Sequence, residues 1–278
     1  MAIPIVNSII SWFLKKRIHQ IELFIKYPID VQTELLNRLL FDSKNTEFGK
    51  QFEFESIKNY DVFIDRVPIR NYESFSPFIE RTRKGEQQIF WSSSIKWFAK
   101  SSGTTNAKSK FIPVSDEAIE NCHLKAGKDM LCLYINNNPT TQLFTGKSLR
   151  LGGSSAVYED NNTHFGDLSA IIIENMPFWA DFSSTPKQEI ALMSEWESKM
   201  EAIVNETIDE NIMSLAGVPS WMLVLLNRVL EKTGEKNILE VWPNLEVYFH
   251  GGVNFNPYRE QFKKLIPKKG FQYYETYN

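Results

Sequence analysis

Apolar positions recur every three or four residues along 5–26 and again along 30–41, a spacing that predicts amphipathic helices, the second headed by Asp30 as N-cap. The stretch 67–94 alternates short turns with one helix. IKWFAK (95–100) and KFIPVS (110–115) are short runs of strand-forming residues. Ser115 or Asp116 then heads a helix through EAIENCHLKAGKDMLCLYI (117–135). SLRLGG (148–153) and LSAIIIENMP (168–177) have the look of strands or short buried segments, and 187–206 has helical spacing. Pro219 opens a helix that Gly234 closes. LEVYFHGGV (245–253) is a strand ending in Gly251 and Gly252, PYREQFKKLI (257–266) a helix, and FQYYETYN (271–278) a further strand. Strands alternating with helices predict an α/β fold with mixed or parallel sheets flanked by helices.

Composition narrows the function classes. The chain has 278 residues, of which 42% are hydrophobic, enough for a large core. Its formal charge of −3 gives no long-range attraction to nucleic acid, although a nucleotide needs only a local site. Cys122 and Cys132 form no disulfide framework, and His19, His123, His164 and His250 lack metal-ligand spacing, so no metal site is assigned. A reducing, cytoplasmic setting is the economical expectation. The apolar run at the N-terminus is too short to span a bilayer, and its positive cluster follows the run, unlike a signal peptide. A helix packed on the domain, without stable membrane insertion, is expected there.

The candidate chemistry lies in WFAKSSGTTNAKSKFIPVS (97–115). Ser101, Ser102, Gly103, Thr104 and Thr105 are five consecutive small residues, four with hydroxyls, and Lys108 and Lys110 follow. Backbone N–H groups and hydroxyls on such a loop can converge on a phosphate, with the lysines as counter-charge. A plain turn has the same composition. Counting excludes the commonest phosphate loop: a glycine five positions before a Gly-Lys-Ser/Thr is required. From Gly103 the second glycine would fall at Lys108, and before Gly146-Lys147-Ser148 the first would fall at Thr141. The latter segment is expected to be a loop between strands. There is no GxGxxG and no GxSxG in the chain.

SSGTT followed by KFIP resembles the first core motif of adenylate-forming enzymes. With TEFGKQFEF (46–54), VPIRNYESFSPFIERTRKGEQQIFW (67–91), HFGDLSAIIIENMPFW (164–179), GVPSWMLVLL (217–226) and WPNLEVYFHGGVNFNPYREQF (242–262) in that order, the chain resembles the acyl-acid amido synthetases named for the auxin-induced Gretchen Hagen transcripts, in particular their bacterial relatives. The resemblance implies activation of a carboxylic acid by ATP and Mg²⁺ to an acyl-adenylate, then conjugation to an amine, usually that of an amino acid. An acyl-CoA-forming ligase and a non-catalytic nucleotide-binding remnant are the alternatives. By the same resemblance, Gly251 and Gly252 lie against the nucleotide or acyl group. Tyr277 and Asn278 lead into the second core motif, which packs on adenine and brings a glutamate toward Mg²⁺. That motif is cut at Asn278, so residues 1–278 are expected to be a partial N-terminal adenylation domain without its C-terminal domain, inactive alone and monomeric when full length. No catalytic residue is assigned. Phe178, Trp179, Trp221 and Met222 are candidate apolar walls, and core packing is the plainer role for such a cluster. If Gly252 is a ligand surface, valine there would spare the fold and remove binding.

Overall fold

The computed structural model describes residues 4–101, 110–152, 158–160 and 163–276. It divides into two compact units. One comprises Met1–Lys15, Met130–Ala156 and Ile172–Asn278; the other comprises Lys16–Asp129 and Val157–Ile171.

The first is the parallel-sheet unit. Its strands are β3 (Lys147–Leu151), β6 (Ser184–Thr185), β7 (Ile212–Gly217), β8 (Val247–Gly251) and β9 (Gln272–Thr276), in the order β6-β3-β7-β8-β9. Every neighbouring pair is parallel. Leu149, Leu151, Leu215 and Tyr248 turn one face toward the helices Trp196–Thr207 and Pro219–Thr233, which contribute Met200, Ile203, Met222, Leu225, Leu226 and Val229 to a buried core. Val247 and Phe249 bury against Tyr134, Ile135 and Leu143 in a second cluster. The N-terminal helix Pro4–Lys15 packs there through Leu14. Its Asn7 donates to the Thr141 carbonyl (3.0 Å) and accepts from the Phe144 amide (3.1 Å), as expected of a helix seated on the domain.

The second is the mixed-sheet unit, built from β1 (Trp97–Ser101), β2 (Lys110–Val114), β4 (Tyr158–Asp160) and β5 (Thr163–Gly166) in the order β2-β1-β5-β4. β1 pairs antiparallel with β2 and parallel with β5. Phe48, Phe52 and Ile89 bury with Phe54, Phe75, Phe78 and Phe90, while Phe98 buries with Ile79 and Ile95. Both mixed and parallel sheets are therefore present, as the alternation of elements predicts.

Several local expectations change. Residues 168–177 contain a helix, Leu168–Glu174, where a strand was one expectation. Three isoleucines in a row favour a strand by propensity, but Ile171 alone of them is buried, in a cluster with Ala99, Val114 and Ile119. The tertiary partner overrides the local preference. The second N-terminal helix begins at Pro28, whose fixed φ suits a first helical position, so Asp30 lies inside the first turn instead of capping it. The periodic run 5–26 breaks into Pro4–Lys15 and Ile18–Lys26. The run 187–206 also divides, because the Glu195 carboxylate caps Trp196–Thr207 by accepting from the amides of Glu197 and Ser198. Ser115 caps the helix that follows β2, accepting from Ala118 (3.1 Å).

Candidate functional site

The β1–β2 pairing fixes the two residues that border the hydroxyl-rich stretch. Ser101, partly buried, is the last residue of β1 and stands opposite Lys110, the first of β2. The two ends of the loop are thus fixed at about 5 Å, the spacing of an antiparallel pair. The base is locked further by Tyr72, whose hydroxyl accepts from the Phe111 amide (2.8 Å) and donates to the Phe111 carbonyl (3.2 Å). The Arg83 guanidinium lies 3.9 Å above the Phe111 ring. Lys110 is engaged by Glu73 at 3.6 Å and by the Tyr72 ring, so its charge is shared with the helix Tyr72–Arg83. Ser102, Gly103, Thr104, Thr105 and Lys108 lie outside the described residues, as do Tyr277 and Asn278.

The parallel-sheet unit offers a second candidate region. All five of its strands run the same way, so Leu151, Thr185, Gly217, Gly251 and Thr276 end at one edge. In open parallel α/β sheets this carboxyl edge is the usual ligand side. Both glycines of the pair have a structural reason to be there. A methyl carbon at Gly251 would lie 2.4 Å from the Thr276 carbonyl oxygen, so its bare backbone admits β9. Gly252 has φ +82°, a left-handed conformation that side chains disfavour. The expectation that valine at 252 would spare the fold is therefore corrected: strain accompanies any side chain there.

Around this edge several polar groups are tied to backbone carbonyls. Tyr248 donates from its hydroxyl to the Gly217 carbonyl (2.9 Å), and Thr276 donates to the His250 carbonyl (3.1 Å). His250 is 2% exposed, stacks on Phe255 at 4.0 Å, and its Nδ1 is buried without a hydrogen-bond partner among the described residues. Desolvation lowers its pKa, with Glu275 opposing and Arg259 assisting. Lys199 is fully buried, and its ammonium donates to the carbonyls of Ala191 (2.6 Å) and Gly152 (3.4 Å). Burial lowers its pKa to about 8.

Other candidates fall into structural places. Gly146 precedes β3, and Lys147 and Ser148 lie inside that strand instead of opening a helix, as a phosphate loop of the excluded kind would require. His164 lies against Trp97 within the mixed sheet, its ring tilted by 31° with centroids 4.7 Å apart. Met222 is core, and Trp221 packs beside Trp196 at 5.8 Å. Side-chain positions of Phe178 and Trp179 are outside the described set. Sequence reasoning missed Lys199, although it shares the helical stripe of Met200, Ile203, Val204 and Thr207 and so had to face the core. It also missed Arg150, a charge near the carboxyl end of a parallel strand, where both faces are ordinarily covered. Among the described residues no group of three His, Cys, Asp or Glu side chains is placed to hold a metal ion. Among them also, no helix is long and apolar enough to cross a membrane.

Comparison with known proteins places these regions in context. Residues 17–271 match the model of the GH3 family N-terminal domain. Over 106 residues the chain is 31% identical to indole-3-acetic acid-amido synthetase GH3.2 of Arabidopsis thaliana, covering 38% of this chain and 19% of that protein. Over 107 residues it is 30% identical to jasmonoyl-L-amino acid synthetase JAR6 of Nicotiana attenuata, covering 38% and 18%. The solved AtGH3.15 acyl acid amido synthetase in complex with 2,4-DB superposes with a TM-score of 0.73 at 15% identity, over 99% of this chain and 56% of that one. An open conformation of 2-hydroxyisobutyryl-CoA ligase superposes at 0.50 and 12% identity, over 87% and 51%. These superpositions establish the fold. The chain spans about half the length of the solved structures it matches, and the aligned part covers less than a fifth of each curated plant relative.

Proposed function

The chain belongs to the GH3 family, and from that premise we propose that it takes part in ATP-dependent conjugation of a carboxylic acid to an amino acid, a ligase reaction that releases AMP. The carboxylate attacks the α-phosphorus of ATP, the bond to pyrophosphate breaks, and an acyl-adenylate forms. The amine of the amino acid then attacks the acyl carbon, loses a proton, and AMP departs. The first step requires neutralised phosphates and in-line placement.

The pairing of Ser101 with Lys110 carries this reading. It holds both ends of a loop whose next four residues, Ser102 to Thr105, supply three hydroxyls, with Lys108 close behind. We assign Ser101–Thr105 and Lys108 to the phosphates, and Gly251, Gly252, Tyr277 and Asn278 to the rest of the nucleotide. When bound with ATP, Mg²⁺ would neutralise charge on the phosphates. Calorimetric titration with ATP tests the assignment. ATP binds the unaltered protein, and replacing Thr104 and Thr105 together by valine weakens binding at least tenfold without lowering the ligand-free melting temperature. Equal ATP affinity in both proteins would reduce the loop to a turn.

A further inference from the structure

Arg150 is the fourth residue of β3 and sits on the face opposite Leu149 and Leu151, which belong to the core. It is aligned with Ala216 of β7, which is aligned with Phe249 of β8. Its guanidinium meets the Met176 sulfur through Nη1, and Nη2 stands 3.8 Å from an Asp181 carboxylate oxygen. That distance lies beyond the ordinary N–H···O range, so Asp181 balances charge without occupying the donor fork. No oxygen acceptor lies within hydrogen-bond distance of Arg150 among the described residues. A thioether is a weak acceptor. Yet 22% of the side chain remains open. A partly buried guanidinium whose N–H groups meet no oxygen among the described residues costs free energy unless solvent or a ligand satisfies them. Desolvation is strong enough to lower its pKa to about 10, still charged at neutral pH.

We infer, resting on the function proposed above, that Arg150 binds the carboxylate of the acid substrate. A guanidinium presents two parallel N–H groups that match a carboxylate. Its neighbours favour this anion over a phosphate. Ala216 on the adjacent strand and Met176 are apolar, and Phe249 lies one strand farther along the same row, which suits a charged head on an apolar body, whereas a phosphate calls for several converging donors. The position is one residue short of the end of β3, at the carboxyl edge of the parallel sheet, where ligands ordinarily bind.

The test uses benzoate, its uncharged counterpart benzamide, and inorganic phosphate as probes, read by melting temperature against probe concentration. Benzoate, and not benzamide, stabilises the unaltered protein. Arg150→Met keeps an unbranched, flexible stem without the charged fork and weakens benzoate at least tenfold, while Arg150→Lys falls between. Asp181→Asn binds benzoate at least as tightly as the unaltered protein, because a nearby negative charge that repels the anion is gone. Four results would overturn the inference: no response to benzoate in the unaltered protein, equal responses to benzoate and benzamide, benzoate affinity unchanged in Arg150→Met, or equal loss in Asp181→Asn, which would leave only a structural ion pair. Loss of phosphate protection in Arg150→Met with benzoate binding retained would reassign the site to a phosphate and also overturn it. ATP binding separates the two readings. If ATP still binds where benzoate does not, the inference fails and the proposed function stands. If benzoate binds as described and ATP does not, the reverse holds.

Discussion

The two sheets build their candidate regions by opposite routes. In the mixed-sheet unit, a single antiparallel pairing, Ser101 with Lys110, brings together the ends of one continuous stretch of chain. In the parallel-sheet unit, residues as distant in sequence as Leu151, Gly217, Gly251 and Thr276 reach one edge only because four crossovers return the chain in the same direction. An antiparallel pair can be closed by a short loop, whereas parallel strands need a long crossover between them. The first region is therefore local in sequence and the second is not. It follows that damage to the first should be confined to ligand handling, while damage to the second should reach the fold.

The largest effect expected is on the loop. If ATP–pyrophosphate exchange is the partial reaction, Thr104→Val with Thr105→Val should lower it by about ten- to a thousandfold, the range for losing transition-state donors. Melting should be unaltered. A drop in melting temperature of the same variant would erase the contrast between the regions. Next comes Gly251→Val, which forces β9 away from β8 because its Cβ would overlap the Thr276 carbonyl. Overpacking of this kind costs about 3 kcal/mol, measurable by urea unfolding. Stability within error of the parent would show that the edge relaxes freely.

Gly252→Ala is expected to cost about 1–2 kcal/mol through its left-handed backbone alone, since the nearest atom to the new methyl, Val218 Cγ2, is 3.3 Å away and on a side chain. If the variant also loses ATP binding beyond what its stability change explains, the glycine has a ligand role in addition to its backbone role.

Smaller still are two pH effects in the parallel-sheet unit. His250 has a folded pKa below its ordinary 6.5, so the unfolded chain takes up the proton first. Its contribution is complete above pH 6.5 and is lost as pH falls from there through the folded pKa. His250→Phe should flatten this acid limb in melting curves, and an unchanged limb would assign it to other groups. For Lys199, with a folded pKa of about 8 against an ordinary 10.5, the unfolded chain again holds the proton more tightly. Stability should rise with pH between about 8 and 10.5. Lys199→Met should remove that rise, and its persistence would show that the ammonium is already solvated.

The elements bordering the loop were legible because their signals are local. Ser115 capping, Pro219 opening and Gly234 closing a helix each depend on residues within one turn. The two strands flanking the loop read directly from IKWFAK and KFIPVS. β7 was not legible, since NIMSLAG lies between neighbours on both sides and carries no alternation to distinguish it. Residues 168–174 misled for a related reason. Their β-branched run gives one preference, while the burial of Ile171 against Ala99 and Val114 decides for a helix.

Residue order by itself determined that a small, hydroxyl-rich loop with nearby lysines sits between two strands, because adjacency in sequence guarantees adjacency in space over such a short span. It also determined the alternation of strands and helices, which follows from periodicities of two and of 3.6. Only the tertiary structure decided that Gly251 makes room for Thr276, that Lys199 ties Ala191 to Gly152, and that Arg150 stands at a sheet edge with its N–H groups unmet by oxygen among the described residues. Each of these depends on a partner tens of residues away or on strand order. No local pattern encodes such a meeting, because it is the burial of the whole sheet that selects which strands become neighbours.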